Sequence, residues 1–267
     1  MRLCTLGDLL LDVVVRTSGS SGPDLEGSAE TRVAAGGQAA NVAAWAASLG
    51  AEARFVGKRG SDPAAELAAR ELVARGVELF GPVEDGRNGV VVSLVSADGS
   101  RTMLTDRGVA PFLRAEELDV RWFAGCEWLH LSGYSLLRRP IEEAAAKAAG
   151  AIQAQGGRIS IDLATAAGIA EYGADKLLKR LALLRPDVVF ANESELEAIG
   201  GEVAARLVLK RGADGFTADG EDHAALRADV IDTTGAGDAL AAGFLVGGPT
   251  LAAEAAARCV AQLGAMP

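Results

Sequence analysis

Asp232-Thr233-Thr234-Gly235-Ala236-Gly237-Asp238 is the stretch from which the rest of this chain is read. A short apolar piece, Val230-Ile231, leads into it, and an Ala-rich run from Ala239 to Leu245 follows and reads as a helix. A small-residue turn entering a helix leaves several backbone N–H groups without acceptors and aimed the same way. Together with the positive end of the helix dipole they form a site for an anion. Gly235 and Gly237 let a ligand approach the backbone closely. Asp238, at the start of the helix, then stands beside the bound anion. Donors for the charge developing on a phosphoryl group, and a carboxylate to take a proton from an attacking hydroxyl, suit phosphoryl transfer. Asp and Thr are also ordinary helix caps, and an acid in a first turn complements the dipole. Taken alone, the turn leaves a purely structural role open.

The totals narrow the field. A chain of 267 residues is one large domain or one and a half, with room for a sizeable core. Its net charge of −10 argues against a general nucleic-acid or anionic-membrane surface. A phosphate-rich ligand must therefore be held locally, by backbone amides, a few cations or a metal. Cys4, Cys126 and Cys259 lie far apart in apolar surroundings and read as buried reduced thiols rather than disulfides or metal ligands. His130 and His223 are isolated, so no histidine triad or zinc site can be assembled. With no charged-then-apolar leader and no apolar run of membrane-spanning length, a cytoplasmic protein is expected.

In chain order, Arg2–Leu6 reads as a buried strand broken by Gly7-Asp8. Leu9 to Val15 continues apolar except for Asp12, an acid that is costly to bury without partners. It suits either an exposed turn or a carboxylate accepting hydrogen bonds from ligand hydroxyls. Residues 17–30 are Gly/Ser-rich and read as a surface excursion. Ala35-Gly36-Gly37-Gln38-Ala39-Ala40-Asn41 leads into a helix that stops at Gly50, with Asn41 one turn in. The paired glycines expose backbone to a ligand, or merely allow a close helix-to-sheet contact. A strand at 53–57, a helix capped by Asp62 and running to Arg75-Gly76, and a strand at 77–80 predict a parallel sheet with helices on its faces.

The pattern changes at 88–106, where two β-rich runs flank the hairpin signal Ala97-Asp98-Gly99-Ser100. Joined by 13–32, these residues are expected to form a small β lid, leaving 1–12, 33–87 and 107–267 as the main α/β domain. A lid excludes water, which otherwise hydrolyses a phosphoryl donor. Arg107 places a cation near the substrate or is a solvated hinge residue. From Trp128 the alternation resumes, with strands at 128–133, 158–163 and 187–190 and helices over 138–155 and 174–184. Asn192-Glu193-Ser194-Glu195 has the form of a capping box. Arg206–Lys210 reads as a strand leaving through a turn with Arg211, Gly212 and Gly215, and 249–264 as the last helix.

Taken whole, Asp232 to Ala239 followed by a small-residue helix resembles the C-terminal signature of the ribokinase family, the PfkB-type carbohydrate kinases. The Gly-Gly-x-x-x-Asn pattern at Gly36–Asn41 resembles the N-terminal signature of the same family, and the two stand in the family's order. The resemblance implies a ribokinase-like three-layer α/β/α fold with a mainly parallel central sheet and a small β-sheet lid. It also implies ATP-dependent phosphorylation of a hydroxyl on a small carbohydrate (a sugar, sugar acid or polyol). A nucleoside kinase of the same fold and a catalytically silent sugar- or nucleotide-binding member are the alternatives.

Carried over by residue, the resemblance makes Asp238 the catalytic base and Gly235, Ala236 and Gly237 the anion hole. Asp8, Asp12, Gly36, Gly37, Asn41 and Arg107 become the substrate side. Lys210, Gly212 and Gly215 match a nucleotide-binding turn, with a plain hairpin carrying solvated basic residues as the alternative. Asn192 and Glu195 resemble an Asn-x-x-Glu motif that helps hold Mg²⁺ and its waters, in addition to capping the helix. Asp232 and Thr234 match a position that often holds a monovalent cation, commonly K⁺. Lid strands pair between subunits in some relatives, which implies a homodimer through the lid.

Three departures argue against ribose itself. Gln38, Gly133 and Ala110 stand where ribose-specific members often carry Lys, an acid and Asn. Residues 13–32 and 88–106 contain no aromatic side chain, which speaks against a nucleoside base. The chain stops at Pro267 without the further helix many relatives place beside the adenine, which leaves the donor open.

Overall fold

The computed structural model describes residues 1–17, 28–95 and 101–267. Its strands are β1 (Arg2–Leu6), β2 (Leu10–Thr17), β3 (Ala29–Gly36), β4 (Glu52–Val56), β5 (Glu78–Phe80), β6 (Asn88–Val95), β7 (Arg101–Gly108), β8 (Trp128–Ser132), β9 (Arg158–Asp162), β10 (Val188–Asn192), β11 (Arg206–Lys210), β12 (Phe216–Ala218) and β13 (Glu221–His223). The helices are α1 (Gln38–Ser48), α2 (Pro63–Ala74), α3 (Ile141–Ala154), α4 (Ala166–Tyr172), α5 (Ala174–Leu184), α6 (Glu193–Ile199), α7 (Ala236–Gly247) and α8 (Pro249–Val260).

Nine strands form one sheet in the order β13-β12-β11-β10-β9-β8-β1-β4-β5. From β11 to β5 it is parallel, and the β12–β13 hairpin adds an antiparallel edge. Its central strands are apolar on both faces, as a doubly covered parallel sheet requires. In β10, Val188 and Phe190 join the core under α1, α2, α7 and α8, while Val189 and Ala191 join the core under α3 to α6. The Ala- and Gly-rich helices let backbones touch. A Cβ at Gly243 of α7 would lie 2.5 Å from the Leu251 carbonyl oxygen of α8.

Four strands form a second sheet, β3-β2-β6-β7, antiparallel except for β2 against β6. Side chains alternate along each strand. Leu11 turns toward the core that includes α2, and the Ala35 N–H donates to Glu71 of that helix at 2.9 Å. Asp12 lies on the opposite face, paired in register with Ala34. Arg32, two residues from Ala34, shares that face.

Some element boundaries differ from the sequence reading. Helix α7 starts at Ala236 rather than Ala239, and α8 ends at Val260 rather than 264. Residues 262–265 are drawn into a turn by hydrogen bonds to Asp232 and Trp45. Helix α4 and the β12–β13 hairpin lack an individual sequence assignment. The turn at 97–100 and most of the excursion at 17–30 lie outside the described residues. Cys4, Cys126 and Cys259 are free and buried, as expected. His130 sits inside β8 with Nδ1 3.0 Å from Ser160 Oγ, and burial pulls its pKa down to about 4.

Candidate active site

The parallel strands end along one edge, where open α/β sheets bind their ligands. Asp8 lies just past β1, Asp162 ends β9, Asn192 ends β10 and Lys210 ends β11. Helices α1 and α7 pack together there. Their first turns bring Asn41 and Asp238 into contact, with the Asn41 Nδ2 donating to Asp238 Oδ2 at 2.7 Å.

Asp238 is 9% exposed. Burial raises its pKa to about 7; Asn41 and Lys210 oppose that rise, while the negative fields of Asp162 and Asp12 add to it. A carboxyl that titrates near neutrality is suited to general-base work. Gly235, the residue before α7, has φ +79°, and a Cβ there would lie 2.7 Å from Ala265. Glycine is thus required on both conformational and steric grounds. Among the described residues the N–H groups of Gly235, Gly237 and Asp238 meet no acceptor, whereas that of Ala236 turns to Thr233 O at 3.3 Å. The donors at this helix mouth are therefore chiefly the two glycine amides and that of Asp238.

Beneath the turn lies a charge cluster that the sequence did not reveal. Lys210 Nζ donates to both carboxylate oxygens of Asp162, at 2.9 and 2.7 Å, and lies 3.9 Å from Glu195. Burial disfavours the charged amine, but Asp162 and Glu195 outweigh it and hold the Lys210 pKa above its ordinary value. Lys210 is neither a solvated hairpin residue nor free for a nucleotide as it stands. Arg211, the next residue, turns instead to Asp222 at 2.9 Å.

Asn192 and Glu195 form the expected capping box. The Glu195 N–H donates to Asn192 Oδ1 at 2.9 Å, and the Asn192 N–H and Nδ2 donate to Glu195 at 2.9 and 3.0 Å. Glu195 is 4% exposed, and burial raises its pKa, with Lys210 opposing. Among the described residues no three His, Cys, Asp or Glu side chains are grouped to hold a metal. A metal at Asn192 and Glu195 must then keep waters or ligand oxygens in its shell, which suits Mg²⁺.

On the substrate side, Gly37 has φ +99° and comes so near that a Cβ would lie 2.4 Å from Asp8 O. At Gly36 a Cβ would overlap the Asp12 carboxylate, so that acid occupies room only glycine leaves. Asp8 and Arg107, both expected to face substrate, are paired with each other at 2.6 and 3.0 Å. Arg107 also lies over the Tyr134 ring, its Cζ 5.6 Å from the centroid. It is not a solvated hinge residue. Among the described residues the buried Asn41 Oδ1 meets no hydrogen-bond donor, which leaves it as an acceptor for a ligand.

On the other side of the turn, a cavity of about 490 Å³ runs from Lys210, Gly212 and Gly237 to a wall of Leu226, Val230, Leu240, Ala253 and Val260. Gly212 opens onto space, while Gly215, at φ +89°, is needed where a Cβ would strike His223 O. One end of the cavity is thus polar and next to the free amides, and the other is apolar. Asp232 accepts from the Thr234 N–H at 2.9 Å, the Thr234 hydroxyl at 2.6 Å and the Gly264 N–H at 3.0 Å.

Known proteins resemble this chain in sequence and in fold. The pfkB family carbohydrate kinase model matches residues 1–266. The ATP-dependent ribose-1-phosphate kinase of Halopiger xanaduensis is 36% identical over 92% of this chain and 84% of its own length. A fructokinase from Escherichia coli is 30% identical over the same shares of the two chains. The crystal structure of adenosine kinase from Sinorhizobium meliloti superposes with a TM-score of 0.88 at 25% identity, covering 100% of this chain and 95% of that one. A match across nearly the full length, with a small-residue turn, an acid in the next helix and a sheet edge that gathers them, establishes that the chain belongs to the pfkB family of carbohydrate kinases.

Proposed function

We propose that this kinase transfers the γ-phosphoryl group of ATP to a hydroxyl of a small carbohydrate, with Asp238 as the base. The observation that carries this reading is the pairing of a buried carboxyl of near-neutral pKa with unpaired amides at the same helix mouth. The 490 Å³ cavity takes the nucleotide, its apolar wall against the base and its polar end toward the amides. The acceptor sugar lies on the other side of Asp238, against Asp12, Gly37 and Asn41, where the buried Asn41 Oδ1 lacks a donor.

Asn41 fixes the Asp238 carboxylate so that one oxygen remains to receive the hydroxyl proton. The amides of Gly235, Gly237 and Asp238 stabilise charge on the phosphoryl oxygens as the bond to ADP breaks. Asn192 and Glu195 are the residues that would hold Mg²⁺, which would neutralise phosphate charge when bound. The four-stranded sheet serves as the lid that keeps water from the donor. A carbohydrate is favoured over a nucleoside because its described strands offer no aromatic ring for a base. ADP release measured across sugars, sugar phosphates, polyols and nucleosides tests the assignment; turnover confined to nucleosides would reverse it.

The metal assignment is separable from capping. Glu195→Gln keeps one acceptor oxygen for the Asn192 N–H, gives up the one that accepts from Asn192 Nδ2, and removes the charge. It should leave stability within about 1 kcal/mol while raising the Mg²⁺ concentration for half-maximal rate several-fold, about the scale of one lost charged ligand. An unchanged metal titration would restrict Glu195 to its cap.

The lid also presents an apolar row. Val33, Val13, Val92 and Leu104 are register partners across β3-β2-β6-β7, and Val33 and Leu104 are 44% and 58% exposed. A second copy is the proposed cover. Leu104→Asp is expected to shift the sedimentation profile from dimer to monomer, and a wild-type protein already monomeric would dismiss this surface.

A further inference from the structure

The monovalent-cation position at Asp232 and Thr234 fails a test of fit. A bare cation needs several oxygens converging with lone pairs available. Each Asp232 oxygen accepts a donor from Thr234 or Gly264. Each neighbouring carbonyl also accepts a donor on one of its two lone pairs, so what excludes a cation is chiefly the Arg32 guanidinium already seated there. Thr234 O accepts the Cys259 thiol at 3.3 Å, Ala265 O accepts Trp45 Nε1 at 2.8 Å, and Leu263 O accepts Arg32 Nη1. The guanidinium of Arg32 lies over Gly264, where a Cβ would be 3.5 Å from its Cζ. A second positive charge in this loop would face that guanidinium directly.

We infer that Arg32, reaching down from the second sheet, is the built-in cation of the anion-hole loop and stands in for an exchangeable monovalent ion. The loop it grips is the one that shapes the turn. Gly264 binds Asp232, Asp232 binds Thr234, and Ala265 packs against Gly235, whose φ of +79° opens α7. Arg32 therefore acts as a positioning residue: it holds the residues that hold the free amides. Because Arg32 sits on β3, the loop is fastened only while that strand lies over it. The inference rests on the kinase reading for its rate measurement but not for its binding measurement.

The experiment compares KCl with tetramethylammonium chloride at equal ionic strength, reading both ADP release and melting temperature. Wild type is expected to show the same rate within about twofold and the same melting temperature in both salts, as a satisfied site should. Arg32→Met should slow turnover roughly ten- to a hundredfold in tetramethylammonium, the scale of a small misplacement near the reacting groups. KCl should restore most of that loss and raise the variant's melting temperature, and Arg32→Lys should lie between. Wild type strongly activated or stabilised by K⁺ overturns the inference, as does an Arg32→Met protein whose rate and melting temperature ignore K⁺. Should wild type release ADP with no acceptor, the kinase reading fails by itself and the melting temperatures still decide the cation question.

Discussion

Asp238→Asn is expected to lower kcat by roughly two orders of magnitude or more, the usual consequence of removing a general base. ATP affinity should hardly change, because the amide keeps the Asn41 contact and the first turn of α7 keeps its N–H groups. In wild type the rate should climb as pH rises through about 7, since burial keeps the Asp238 carboxyl protonated below that value. The asparagine variant should lose that limb.

The same group makes an opposite claim about stability. The folded pKa of Asp238 lies above the ordinary 3.8, so the folded chain binds more protons than the unfolded one between about 4 and 7. The contribution from this carboxyl is full below pH 4 and declines as pH rises to 7. A rise from 3.8 to about 7 corresponds to at most about 4 kcal/mol. Asp238→Asn should therefore melt higher than wild type at pH 8 and near it at pH 4. A variant that is both slow and less stable at pH 8 would indicate a structural defect rather than loss of a base. Turnover near the wild-type rate would end the assignment outright.

Lys210→Met is the second large effect. Asp162, Glu195 and Asp238 are 1%, 4% and 9% exposed, and Lys210 is the cation whose field reaches all three. Removing one partner from a buried ion pair leaves uncompensated charge and typically costs about 3–5 kcal/mol. The loss should be greatest at high pH, where Asp238 and Glu195 are ionised, and should ease as those two, whose pKa values burial raises, protonate. Because Lys210 holds the Asp238 pKa down, the pH–rate profile should also move to higher pH. Denaturant titrations at two pH values, together with that profile, provide the check. A variant with unaltered stability and an unmoved profile would show that Lys210 is not the keystone of the cluster.

Which features were legible follows from the range of the forces involved. Gly235, Gly237 and Asp238 could be read because turn, helix entry and acid are contiguous, and the same holds for Gly36, Gly37 and Asn41. The strand and helix alternation was equally plain, since burial on both faces writes continuous apolar runs into β1, β8, β9 and β10. Asp162 was invisible: one acid at the end of Ile159-Ser160-Ile161 is unremarkable until Lys210, 48 residues on, arrives to pair with it. The pairing of Asp8 with Arg107 was hidden for the same reason, since both looked available to a ligand when considered apart. Arg32 lies beside a polar excursion, and nothing local marks it as reaching Leu263. The end of α8 was placed late because side chains at Asp232 and Trp45 capture residues that helical propensity alone would have continued.

The hydrogen bond between Asn41 and Asp238 joins residues 197 positions apart, and that from Trp45 to Ala265 spans 220. Both connect α1 to residues 238–265. Contacts so distant in sequence close slowly, because most of the chain must already be compact before they form. During synthesis the growing protein can lay down its early strands, but α1 cannot make these two contacts before residues 238–265 have been added. Chemical competence thus waits on residues 238–265, whichever of the early strands have already paired.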